Sequence, residues 1–282
     1  MTQPRMTPTK STPPLLRKPI RLRRRTFLSL GLLIASIPAY AVGVEPDWIR
    51  IRHLTLPPHP RLAGRRLRWV HFTDLHHKGD RARLDRAMKL ISELTPDFAC
   101  FTGDLIEESR HLDEALDALK RLPCPVYGVP GNHDHWAHAD FSRCRRACSA
   151  TGGAWLMDEV VDFPDVPLRL IGLDNLSSPP RPDPDRFNLV LMHYPIWARD
   201  LPYRADLLLA GHSHGGQVRI PGFGPLVVPE ETGGYDLGWF ETPGGPLYVN
   251  PGLGTFYLDI RLNCRPELTV FETADFNSDH KG

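Results

Sequence analysis

The chain has 282 residues, 41% hydrophobic and 24% charged, an ordinary globular balance that excludes a fibrous or wholly disordered chain and leaves room for a sizeable core. Its formal net charge of +1 conceals an asymmetry: residues 1–44 hold eight of the 34 Lys/Arg and no acid, leaving 26 basic against 33 acidic residues in the body. A body net acidic by about seven charges is a poor match for duplex nucleic acid, which wants a basic face.

Taken in chain order, residues 1–26 are basic and proline-rich, a composition that predicts disorder. Phe27 to Val44 is a run of 18 largely apolar, uncharged residues, roughly 27 Å long if helical and enough to cross a bilayer. A buried core helix would carry a polar face, and this stretch has none. Its basic flank predicts an N-terminus inside and everything after residue 45 outside. "RRTFL" (Arg24 to Leu28) is similar to a twin-arginine export signal, and Ala39-Tyr40-Ala41 to an A-x-A cleavage site. A cleaved signal peptide and a retained transmembrane anchor both fit. Either one predicts that the body, residues 45–282, is exported or tethered at the extracytoplasmic side of a bacterial inner membrane.

From residue 65 the body alternates. "RLRWVHFTDLH" reads as a strand into a loop, and "RARLDRAMKLISELTP" as an amphipathic helix with Leu84, Met88, Ile91 and Leu94 on one face. "DFACFTGDL" is a second strand and "HLDEALDALKRL" a helix; "VYGVPGNHDH" is a third strand and "DFSRCRRACSAT" a helix. Later segments ("LRLIGLDN", "FNLVLMHYP", "DLLLAGHSH", "PLYVNPGLG", "ELTVFET") are mostly strands. "SSPPRPDPD" (177–185) is a surface loop and "GGYDLGWFETPGG" a loop or hairpin. Alternation first and strands later argue for one α/β domain with a large system of stacked sheets. Five cysteines without CxxC spacing give neither a disulfide framework nor a structural zinc site, and Cys144 and Cys148 read as buried or free thiols.

Five apolar runs end in ligand-type residues: Asp74 and His76; Asp104; Asn132 and His133; His193; His212 and His214. In open α/β sheets, sites form beyond the carboxyl ends of strands. Carboxylates and imidazoles without thiolate suit Mn²⁺, Fe or Zn²⁺. Seven such groups, leaving His133 aside, exceed one tetrahedral ion and suit two ions sharing a carboxylate, about 3.5–4 Å apart. Asp74-x-His76 and His212-x-His214 each put two side chains on the same side of an extended backbone, and Gly103, Gly131, Gly211 and Gly215 permit sharp turns beside them. His77, His135 and His138 read as loop histidines or as donors supporting the ligands, Lys78 and Arg219 as solvated charges or phosphate contacts, and Trp197, Tyr203, Phe223, Trp239 and Phe240 as packed or substrate-gripping aromatics.

D-x-H, G-D, G-N-H-D, a lone H and G-H-x-H, in this order over residues 68–272, resemble the calcineurin-like metallophosphoesterase superfamily. The tail "GHSHGGQVRIP … LYVNPGLG … IRLNCRPELTVFE" is similar to its membrane-associated or twin-arginine-exported bacterial branch. The resemblance implies a four-layer αββα sandwich, two stacked mixed sheets flanked by helices, with the metal site at the strand C-terminal ends. It implies one divalent ion on Asp74, His76, Asp104 and His214, and a second on Asp104, Asn132, His193 and His212, Mn²⁺ being favoured and Zn²⁺ or Fe possible. It further implies His133 as proton donor to the leaving oxygen, Glu107 orienting it, and attack on a phosphodiester or pyrophosphate by a hydroxide held between the ions. Glu108 stands where phosphoprotein phosphatases carry a phosphate-gripping arginine, which counts against phosphoprotein monoesters. The substrate is then a small-molecule or lipid-headgroup phosphoester. The alternatives are the pyrophosphatase of a UDP-linked diacylglucosamine and a non-catalytic metal-binding scaffold.

Overall fold

Several segments of the body are apolar without interruption, and the structure shows why: they are strands covered on both faces. The computed structural model describes residues 36–62 and 65–274; the segment 1–26 and residues 27–35 of the apolar run lie outside the described residues. Residues 36–43 are helical, and among the described residues no helix is long and apolar enough to cross a membrane.

One six-stranded sheet contains β1 (Arg50–Leu56), β2 (Arg68–Phe72), β3 (Phe98–Thr102), β4 (Val126–Val129), β5 (Ala154–Trp155) and β14 (Glu267–Thr273), in the order β1-β14-β2-β3-β4-β5. The second contains β6 (Glu159–Asp162), β7 (Leu168–Gly172), β8 (Phe187–Leu191), β9 (Leu207–Ala210), β12 (Gly238–Thr242) and β13 (Gly245–Val249), in the order β12-β13-β9-β8-β7-β6. Both are mixed. β2 to β5 run parallel with β14 antiparallel to β2, while β13, β9, β8 and β7 run parallel between antiparallel β12 and β6. A short hairpin, β10 (Arg219–Ile220) and β11 (Gly224–Pro225), stands apart from both sheets.

Alternation along each strand sorts side chains between layers. In β3, Phe98 and Cys100 face the second sheet while Ala99 and Phe101 face helices. In β8 and β9, Phe187, Leu189, Leu191, Leu207 and Leu209 fill the inter-sheet layer, and Val190, Leu208 and Ala210 point outward. The outer face of the first sheet is covered by α1 (Arg81–Glu93), α2 (Leu112–Lys120) and α4 (Phe141–Ala150). As the 3.6-residue period predicts, α1 buries Leu84, Met88 and Ile91, and Asp80 caps it by accepting from the Arg83 N–H. On the second sheet the flanking layer is thinner, with the short α5 (Trp197–Asp200) and loops. All five cysteines are buried and unpaired.

Two departures have physical reasons. β1, which begins well before residue 65, is an exposed edge strand whose Arg50, Arg52 and His53 break the apolar signal; its parallel pairing with β14 defines it. Asn132 and His133 do not end a strand but open a short helix, α3 (Asn132–Trp136), directly after β4. Because burial decides the strands, Leu189→Ala, in the inter-sheet layer, should lower stability by about 2–5 kcal/mol in urea unfolding. Ile51→Ala on the edge strand should stay within about 1 kcal/mol.

Candidate metal centre

β2, β3, β8 and β9 carry their C-terminal ends to one edge of the sandwich, and the ligand-type residues sit in the turns just beyond. Asp74, His76, Asp104, His212 and His214 all have positive φ, between 43° and 64°. L-residues rarely adopt that region, at a cost of about 1–3 kcal/mol each where the surroundings enforce it. The two D-x-H and H-x-H pairs therefore face one side through left-handed turns, not through the extended backbone expected from their spacing. The turns are held by main-chain bonds from Asp74 N to Gly103 O (2.9 Å) and from His76 N to Asp104 O (3.0 Å). A Cβ at Gly131 would collide with the Asp104 carboxylate, and one at Gly211 with Asp74 and Thr73. Those two glycines are required by close approach.

All seven expected ligands are buried and converge in two clusters. In the first, His76 Nε2 lies 2.9 Å from His214 Nε2, His214 Nε2 lies 3.4 Å from Asp74 Oδ1, and His76 Nε2 lies 3.4 Å from Asp104 Oδ2. In the second, Asn132 Oδ1 is 3.0 Å from His193 Nε2 and 3.1 Å from His212 Nδ1, and His193 Nε2 is 3.3 Å from Asp104 Oδ2. One oxygen of Asp104 thus belongs to both groups; the other accepts the His133 main-chain N–H at 2.8 Å.

These separations fit a cation. Donors bonded at about 2.1 Å to one ion stand about 3.0–3.4 Å apart. Three imidazoles also commit their far nitrogen elsewhere: His76 Nδ1 to Glu107 Oε1 (2.5 Å), His193 Nδ1 to the Thr102 carbonyl (2.8 Å) and His212 Nε2 to the Glu230 carbonyl (2.6 Å). Each such bond directs the near nitrogen's lone pair into the centre. The far nitrogen of His214 is buried without a partner among the described residues.

Electrostatics point the same way. Burial opposes ionisation of Asp74, yet the His214, His76 and His193 imidazoles hold its carboxyl below the usual range; Asp104 is likewise held at about 2, against burial, chiefly by His193. Against the penalty of burial, Asp74, Glu107 and Asp104 raise His76 to about 10, and Asp104 raises His193 to about 9. Burial lowers His212 to about 4 and takes His214 well below its ordinary value. In each cluster the carboxylates favour positive charge on a neighbouring imidazole, and that charge is what a bound cation would supply instead.

His133 lines a cavity of about 410 Å³ beside the clusters. Its Nδ1 bonds Glu107 Oε2 at 2.9 Å, which leaves Nε2 available. Glu107 consequently touches both His133 and His76, a double contact the sequence did not reveal. Asp134 was also missed: its buried carboxylate accepts the N–H groups of Asp104, Leu105, Ile106 and Gly131, tying two ligand turns together. The available signal was its place directly after "GNH". Lys78 pairs with Asp259 and Arg219 with Asp236, each at 2.7 Å, and neither lines the cavity. His77 bonds Glu114 and His135 bonds Asp174 away from the clusters.

A two-sheet α/β sandwich with a buried Asp/His/Asn centre at its strand ends defines a metal-dependent hydrolase. The calcineurin-like phosphoesterase profile matches residues 67–216, more than half of the chain, and the chain belongs to that family of metal-dependent phosphoester hydrolases. The uncharacterized metallophosphoesterase YkuE of Bacillus subtilis (strain 168) is 30% identical over 91% of this chain and 99% of its own length. The phosphodiesterase YaeI of Escherichia coli (strain K12) is 29% identical over 89% of this chain and 98% of its own length. Among solved structures, TT1561 of Thermus thermophilus aligns with a TM-score of 0.39 at 13% identity, over 66% of this chain and 90% of that one.

Because imidazole must be neutral to bind a cation and the carboxylates raise His76 and His193 above their ordinary value, loading divalent ions should release protons at neutral pH. Affinity should fall as pH drops. Calorimetry in buffers of different ionisation enthalpy checks this; heats independent of buffer would contradict it. Asp134→Ala should cost about 3 kcal/mol or more in urea unfolding, since it strands buried N–H groups.

Proposed function

We propose that this chain is a two-metal phosphodiesterase. The observation that carries the reading is the position of Asp104 Oδ2, within 3.4 Å of a ligand nitrogen in each cluster. The first ion would be held by Asp74, His76, Asp104 and His214, the second by Asp104, Asn132, His193 and His212. Two divalent ions bound there would supply Lewis-acid charge and a water-derived nucleophile at neutral pH; Mn²⁺, Zn²⁺ and Fe all suit these donors.

The chain's own residues do the rest. His133, in the cavity wall and oriented by Glu107, donates a proton to the departing ester oxygen. Glu107 holds His76 and His133 in register with one carboxylate. Two divalent ions facing only two ligand carboxylates would leave a net positive centre that attracts an anionic phosphoester. Glu108 points to solvent and pairs with Arg110, and no Lys or Arg lines the cavity among the described residues, so nothing from the chain meets the second charge of a monoester or a pyrophosphate. That disfavours a UDP-linked diacylglucosamine. All seven ligand positions are filled, which disfavours a scaffold without chemistry.

We further propose that the body acts on the extracytoplasmic side of a bacterial membrane, exported or anchored by residues 27–44, as in the exported branch that the C-terminal motifs resemble. Support comes from the uncharged apolar run behind a basic flank. A reporter fused after residue 45 should be active only outside the cytoplasm.

For the chemistry, His133→Ala should lower kcat by about 10²–10⁴ on a diester with an alkyl leaving group. The loss should be much smaller with p-nitrophenolate, which departs without a proton. Glu107→Gln should follow the same pattern more weakly. Equal losses on both esters would remove His133 from the proton-donor role, and no metal-dependent turnover of any diester would overturn the phosphodiesterase reading.

A further inference from the structure

Outward of the two clusters the cavity changes in character. Its walls carry aromatic rings seated on different imidazoles of the site: Trp136 on His133 (centroids 4.8 Å), Tyr194 on His212 (4.7 Å) and Phe256 on His214 (4.8 Å). Tyr257 packs on Phe256 at 5.0 Å. The rings thus line the cavity beside the ligands, and two are left open: Trp136 is 67% and Tyr257 92% exposed. Such exposure of large rings beside a catalytic centre is unusual for residues that only fill space.

The same cavity is lined by Glu230 and Glu231. Neither forms an ion pair among the described residues. Their backbone is tied down, since the Glu230 carbonyl accepts from His212 at 2.6 Å and the Glu231 carbonyl from the Ile196 N–H at 3.2 Å. Beyond the metal ligands the pocket is therefore lined by aromatic rings, by Val227, Val228 and Pro229, and by two glutamates without an ion pair, with no basic side chain among the described residues. π faces and carboxylates attract a cation and repel further negative charge.

We propose that the outer half of this cavity is a subsite for a positively charged ester arm, so that the substrate is a phosphodiester carrying an ammonium group, a quaternary one fitting best, a few bonds from phosphorus. The proposal rests on the phosphodiesterase reading and narrows it. The phosphate meets the metal centre, the ammonium lies among Trp136, Tyr194, Phe256 and Tyr257, and Glu230 and Glu231 balance its charge. Aromatic faces favour quaternary ammonium because its charge is diffuse and its hydration weak.

The test compares two substrates with the metal-loaded full chain: p-nitrophenyl phosphocholine, and the p-nitrophenyl ester of 3,3-dimethylbutyl phosphate, in which carbon replaces the quaternary nitrogen. KM for the choline ester should be about tenfold lower at low salt. The ratio should fall toward one in the Glu230→Gln/Glu231→Gln double variant and shrink in Tyr257→Leu; because each variant is its own reference, partial loss of activity does not obscure the result. Equal KM values with turnover of both esters would overturn the subsite and leave the phosphodiesterase reading intact. Saturation-transfer NMR with choline and 3,3-dimethyl-1-butanol needs no turnover. Selective transfer to choline, lost in the double variant, would support the subsite even if neither ester is hydrolysed, in which case the phosphodiesterase reading fails alone. No selectivity for choline in that assay would overturn the subsite whatever the esters do.

Discussion

Two carboxylates, Asp74 and Asp104, are buried at the ends of neighbouring strands, and no Lys or Arg side chain pairs with either among the described residues. Burying an unbalanced carboxylate costs several kcal/mol. The one arginine buried among the described residues, Arg261, is spent on the carbonyls of Pro251, Gly254 and Cys264. The flanking imidazoles hold both carboxyls below their usual range, and divalent ions on the same donors would supply further balancing charge. The left-handed turns at five of the seven ligands, the Asp134 clamp and the glycines that admit the carboxylates all maintain this imbalance.

Much of this was legible in the chain because each ligand follows an apolar strand, and a strand buried on both faces leaves an unmistakable run such as "FNLVLMH". Helix α1 declared itself through Leu84, Met88 and Ile91. What escaped depended on contacts without a local signature. β1 exists through pairing with a strand more than 200 residues away. The dual role of Glu107 needs His76 and His133, 57 residues apart in sequence, brought to one carboxylate. Asp134 looks like an ordinary helix acid until four main-chain N–H groups converge on it. The backbone of the D-x-H and H-x-H pairs was misjudged because spacing alone does not distinguish an extended strand from alternating left-handed residues.

The centre and the cavity divide the work between net positive and net negative chemistry. At the strand ends, donors are arranged for cations. Farther out, the chain withholds basic residues and supplies rings and carboxylates instead. On the proposed reading that gradient would orient a dipolar substrate before any bond is made; Lys78 and Arg219, close in sequence to ligands, pair with Asp259 and Asp236 outside the cavity.

The shared oxygen of Asp104 is tested most directly by metal titration of the apo full chain and two variants, followed by calorimetry and elemental analysis. The native chain should bind two ions. Asp74→Asn should weaken one site and largely spare the other, whereas Asp104→Asn should weaken both. If Asp104→Asn leaves one site at native affinity, the carboxylate is not shared and the centre is not a coupled pair.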